Sequence, residues 1–163
     1  MPMSLWGGRF PAIASAETRS IRVFNSKIFP IGNYGFVEYF CDEIDCDCRR
    51  AIIQVVCEST RPKIWATISY GWEPPEFYKD WMGDPDWDES FSGVVLDAMS
   101  LQSEYAIHFL ADFMQMLETD QAYADRIQRH YMMFKASLKQ EPTKQNLSLP
   151  VTQWTPPRKS KFR

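Results

Sequence analysis

Histidine is scarce in this chain, with two among 163 residues, which leaves little material for acid–base catalysis. The sequence has no glycine-rich phosphate loop, no nucleophile elbow and no helical His-Glu-x-x-His, so the common routes to phosphoryl transfer, acyl transfer and zinc hydrolysis lack their signatures. The deaminase pattern fails as well, because a Pro-Cys-x-x-Cys pair with an upstream His-x-Glu is missing. No run nears the roughly 18 consecutive apolar residues of a membrane span. The N-terminus lacks a basic start followed by an apolar stretch, so the expected address is the cytoplasm.

What the chain does have is ordinary globular composition. It is 45% hydrophobic and 24% charged, with a high aromatic share of 15%. Its length fits one domain with a substantial core. Charge is uneven. Arg158, Lys159, Lys161 and Arg163 crowd the C-terminus, and removing those four positive charges from the total of −3 leaves −7 on the rest. An acidic body repels phosphate backbones, so only the tail is suited to touch nucleic acid.

Periodicity and breakers divide the chain in three. Residues 1–18, with Gly7, Gly8 and Pro11, read as an irregular lead-in, residues 19–139 as a single α+β zinc-binding domain, and residues 140–163 as an extended basic tail. Inside the domain, YGFVEYF (34–40), RRAIIQVVCE (49–58) and KIWATISYGW (63–72) have strand character and form a small antiparallel meander, to which IRVFNSKIF (21–29) adds a fourth strand. A short helix is expected around Phe77 to Met82. The period then changes. Ala106, Leu110, Phe113 and Leu117 predict a helix over 101–118. Tyr123, Ile127, Tyr131, Phe134 and Leu138 predict a second one, capped by Thr119 or Asp120, and both pack on the sheet.

The turn between the first two meander strands carries the motif with a mechanism behind it. Cys41, Cys46 and Cys48 are spaced too tightly for a disulfide framework, but they suit three corners of a tetrahedral structural zinc site. Asp42, Glu43, Asp45 and Asp47 raise the thiol pKa values and disfavour reactive thiolates. A divalent cation removes that conflict, with Arg49 and Arg50 balancing the remaining charge. The alternative is three reduced surface thiols. Cys57 lies roughly 30 Å further along an extended strand and reads as a core thiol. Helical phase turns His108 away from its apolar stripe and puts His130 at the margin of the second stripe, facing the sheet, so His130 is the expected fourth ligand. A loop aspartate is the other candidate.

The blocks CDEIDCDCRR and YADRIQRHYMMFK resemble those of a family of small, uncharacterised bacterial proteins. The resemblance implies the same pairing of cysteine loop with His130 and carries no known activity.

Two further segments suggest partners. In WEPPEFYKDWMGDPDWDESF, the residues Trp72, Phe77, Trp81, Asp84, Asp86 and Trp87 combine interface-type aromatics with negative charge, which suits a partner with a basic surface. The bland alternative is a lid over the sheet with a solvated acidic rim. The tail, with Trp154 and Phe162 among its cations, offers weak contact to nucleic acid. The expectation is a non-catalytic, zinc-stabilised protein–protein interaction module. The alternative is a nucleic-acid-associated accessory protein, or a nucleic-acid mimic that binds a basic nucleic-acid-handling partner.

Overall fold

The computed structural model describes residues 2–60, 63–84 and 91–140. In chain order the elements are β1 (Met3–Leu5), α1 (Trp6–Arg9), α2 (Pro11–Glu17), β2 (Arg19–Val23), β3 (Gly32–Cys41), β4 (Arg50–Val56), β5 (Ile64–Gly71), α3 (Pro75–Met82), β6 (Gly93–Leu96), α4 (Ala106–Thr119) and α5 (Gln121–Gln140). The strands form a single six-stranded antiparallel sheet, and the fold is α+β as the sequence implies.

β3 organises the sheet. Its alternation buries Tyr34, Phe36, Glu38 and Phe40 on one face, because successive side chains of a strand point to opposite sides. One edge of β3 pairs with β4, which continues to β5 and β6. Two short strands share the other edge end to end, β1 opposite Tyr39 to Cys41 and β2 opposite Gly32 to Phe36. Cross-strand neighbours Ala51, Ile53 and Val55 of β4, with Ala66, Ile68 and Tyr70 of β5, complete the buried face.

Helices α4 and α5 cover that face. Phe113 stacks on Phe36 at 6.0 Å, Phe109 meets Tyr34 at 5.0 Å, and Phe134 and Tyr131 each approach Phe40 at 5.8 Å. Each such ring contributes roughly 1.5–3 kcal/mol through burial, so this aromatic seam is the main cohesion between the layers. Asp120 caps α5 as expected, its Oδ1 accepting the N–H of Tyr123 at 3.1 Å.

Four expectations are corrected. The lead-in at 1–18 is ordered as β1, α1 and α2. These pieces are too short for a periodic signal, and they form because β3 offers an unpaired edge and Pro11 sits in the first turn of α2, where its missing N–H has no consequence. The strand expected over 21–29 ends at Val23, because the Ser26 hydroxyl accepts the N–H groups of Ile28 and Phe29 and turns the chain. α4 begins at Ala106 rather than at 101, since the Gln102 side chain acts as a strand partner: its Oε1 accepts the Thr67 N–H and its Nε2 donates to the Thr67 carbonyl, both at 2.9 Å. Its buried stripe is therefore Ala106, Phe109, Phe113 and Met116, while Leu110 and Leu117 are half-buried. β6 has no counterpart in the expected meander.

The opposite face of the sheet has no helix against it among the described residues. Tyr39, Ile52, Gln54, Thr67 and Ser69 form the floor of a groove of about 740 Å³, walled by the 97–100 segment and reaching Cys48 at one end.

Candidate metal centre

An eight-residue connection, 42–49, joins β3 to β4 and carries two of the three clustered cysteines, while the third ends β3. The Sγ atoms of Cys41, Cys46 and Cys48 all lie within 4.8 Å of one another. Tetrahedral coordination with zinc–sulfur bonds near 2.3 Å places thiolates roughly 3.8 Å apart, so the cluster is within about 1 Å of the spacing required. These three thiols form a group able to hold a metal ion, which is the grouping the spacing predicts.

Surrounding contacts hold the connection in place. Cys46 N–H donates to the Glu43 carbonyl at 3.2 Å, which closes a turn. Asp42 accepts from the Ser4 hydroxyl at 2.6 Å and donates its N–H to the Pro2 carbonyl at 3.2 Å, so β1 braces the start of the loop. From α5, the Lys135 ammonium donates to the carbonyls of Cys41 and Glu43. Arg49 adopts φ +46°, an unusual conformation for a residue with a side chain, between Cys48 and the first residue of β4. Five contacts fix it there. Its guanidinium bonds Asp47 and, at 3.1 Å, Glu73; it lies 4.6 Å from the centre of the Phe77 ring; its carbonyl accepts from Tyr78 at 2.8 Å; and its N–H donates to the Tyr131 hydroxyl. Strain held by this many partners fixes the direction in which Cys48 points.

Burial pushes the Cys48 thiol up to about 12, with the neighbouring sulfurs of Cys46 and Cys41 adding to the rise. Cys41 is raised for the same first reason, and Lys135 draws it back only in part. At neutral pH the Cys41 and Cys48 thiols are therefore protonated and poor nucleophiles, and a cation must displace their protons to bind. Arg49 and Arg50 do not balance the thiolates as the sequence suggests. Arg49 is engaged as above, and Arg50 lies over the Phe91 ring at 4.0 Å and bonds the Ser69 hydroxyl. Lys135 is the cation whose field reaches Cys41.

His130, the expected fourth ligand, is placed elsewhere. It is fully buried, with Nδ1 2.8 Å from the Glu38 carboxylate, Nε2 2.8 Å from the Glu17 carboxylate, and its ring stacked on Trp6 at 3.8 Å. Both ring nitrogens are occupied, which leaves no lone pair for a metal. Arg129 also pairs with Glu17, and the hydrogen bond with His130, helped by the charges of Arg129 and Arg126, holds the Glu17 carboxyl below the ordinary glutamate range against partial desolvation. Helical phase correctly turned His130 toward the sheet, but it could not reveal the carboxylates waiting there. Cys57 is a buried thiol beside Ser59, and His108 is exposed near Phe29.

The aromatics of the acidic stretch are largely inward. Trp72 packs edge-on against Tyr131 at 5.2 Å and Tyr70 at 5.8 Å, Tyr78 is fully buried, and Trp81 is half-buried against the core. Phe77 is half-buried under Arg49, whereas Glu76, Asp80 and Asp84 are exposed. Asp86 and Trp87 lie outside the described residues, as does the basic tail from 141 onward.

Fold and cluster together define an α+β protein with a three-thiol centre at a β-hairpin turn. Among known proteins no family model, no curated protein and no solved structure matches this chain. No helix of the described residues is long and apolar enough to cross a membrane.

Proposed function

We propose that this protein is a non-catalytic binding module whose β3–β4 turn is stapled by a structural zinc ion, and which docks a partner with a basic surface through the acidic side of α3. The observation that carries the metal reading is the convergence of three sulfurs within 4.8 Å on a braced loop. Thiolate sulfur favours zinc among the common divalent ions, and zinc brings no redox chemistry of its own. The docking surface is narrower than the sequence expectation: Glu76, Asp80 and Asp84 supply the charge, and the exposed edges of Phe77 and Trp81 supply the apolar contact. Free thiols suit a reducing compartment, so a cytoplasmic address belongs to the same reading.

The deciding experiment is elemental analysis of the full chain purified under reducing conditions without chelator. About one zinc per chain is expected. Cys46→Ser should lose the metal, and a metal-free yet fully folded wild type overturns the reading.

A further inference from the structure

Resting on that metal reading, we infer that the centre keeps one coordination position for a ligand from outside the chain, and that this ligand is a neutral nitrogen donor of the imidazole class. The protein supplies three sulfurs, while the obvious fourth donors are committed elsewhere. His130 bridges Glu38 and Glu17, Asp42 accepts from Ser4, and Asp47 is held by Arg49 and Tyr131. Glu43 and Asp45 point to solvent, and among the described residues neither joins the three sulfurs. A zinc site with three protein ligands completes its tetrahedron with an exogenous group.

Access is provided at Cys46, which is half-exposed to solvent, while Cys41 and Cys48 are buried. Charge then selects the donor. Zinc with three thiolates carries one net negative charge, and Asp42, Glu43, Asp45 and Asp47 lie on the same loop. A fourth anionic ligand would add to this repulsion, while a neutral imidazole nitrogen is a good zinc donor and adds no charge. The donor can be a free small molecule, or a histidine of another chain such as the exposed His108 of a second copy.

Cobalt(II) loaded into the full chain reports both questions separately. A thiolate-to-cobalt charge-transfer band establishes the sulfur ligands, and its failure to appear refutes the metal reading itself. With that band present, added imidazole should shift the visible d–d bands saturably at one equivalent per cobalt. Acetate should need about tenfold or more higher concentration, from the charge repulsion alone. Bands that ignore imidazole, or that respond to it only in Glu43→Gln or Asp45→Asn protein, show that the chain fills the fourth position and overturn the inference. Repeating the measurement across protein concentration, with His108→Ala beside wild type, separates the sources. Dependence on concentration that vanishes in the variant assigns the donor to a second copy, and independence assigns it to a free ligand.

Discussion

Replacing His130 with Ala tests the structural account most sharply, because the sequence and the structure give His130 different tasks. The ring bridges two carboxylates, with Nδ1 2.8 Å from Glu38 and Nε2 2.8 Å from Glu17. Glu38 has 4% of its side chain exposed and His130 none. Removing the ring therefore strands a buried carboxylate, and breaking a buried pair from one side costs about 3–5 kcal/mol. For a chain of this size, about 2–4 °C of melting temperature is lost per kcal/mol, so thermal denaturation should fall by about 6–20 °C. Glu38→Gln in the same chain should recover part of that loss, since the stranded group is then neutral. The double variant must be more stable than His130→Ala alone. Metal content per chain should equal that of wild type. A loss below about 1 kcal/mol would refute the buried-pair argument, because so small a cost is typical of exposed ion pairs. Loss of metal with an intact fold would return His130 to the coordination sphere.

Other outcomes follow from the same structure. A strong chelator should lower the melting temperature of wild type but not of Cys46→Ser. Cys46 is the informative position because it is half-exposed, whereas serine at the buried Cys41 or Cys48 would also lose packing. Acid should destabilise the N-terminal segment: the Glu17 carboxyl is depressed in the folded state, so its contribution is complete above the ordinary glutamate value and disappears as pH falls through the lower folded one, and Glu17→Gln should flatten the melting profile over that range. Gly71→Ala should cost about 1–3 kcal/mol or more by chemical denaturation, since a β-carbon there would stand 2.0 Å from the Phe91 carbonyl oxygen and 2.7 Å from the Tyr78 hydroxyl. Trp72→Ala should destabilise by about 2 kcal/mol, below the cost for a fully buried ring, whereas Glu76→Lys with Asp80→Lys should keep the wild-type melting temperature and weaken anisotropy-detected binding of a lysine-rich probe peptide.

The cysteine cluster and the main strands were legible because both are local signals. Cysteines five and two residues apart on one turn must be near each other whatever the rest of the chain does, and period-two alternation marks the buried face of β3 directly. The His130 site was not legible in the same way, since its three partners lie 92 and 113 residues from it or at the far N-terminus. One signal was nonetheless available. Glu38 follows Tyr34 and Phe36 and precedes Phe40 in the buried phase of the alternation, and a carboxylate there requires a buried partner. Two histidines in the chain make an imidazole facing the sheet the natural candidate. β1, α1 and α2 escaped because elements of three to seven residues are specified by the edge they pair with and not by their own pattern.

The two buried devices act on the same strand. Glu38 and Cys41 are three residues apart on β3, and the N-terminal segment reaches both: Trp6 and Glu17 enclose His130 at Glu38, while Met3 pairs with Cys41 and Ser4 bonds Asp42 at the mouth of the thiol loop. Antiparallel strands need only two residues to turn, yet this turn spends eight and places four carboxylates among them. Such a loop gains little from apolar burial and resists compaction through its own charge, so its order must come from outside it. Polar contacts from β1, α3 and α5 supply part of that order, at Asp42, Arg49 and the Cys41 and Glu43 carbonyls. A bound cation would supply the rest by converting three thiols into ligands and offsetting the charge of the surrounding acids. In that arrangement the His130 pin fixes the strand and the metal fixes its turn. Loosening the pin should therefore slow metal uptake without removing a ligand.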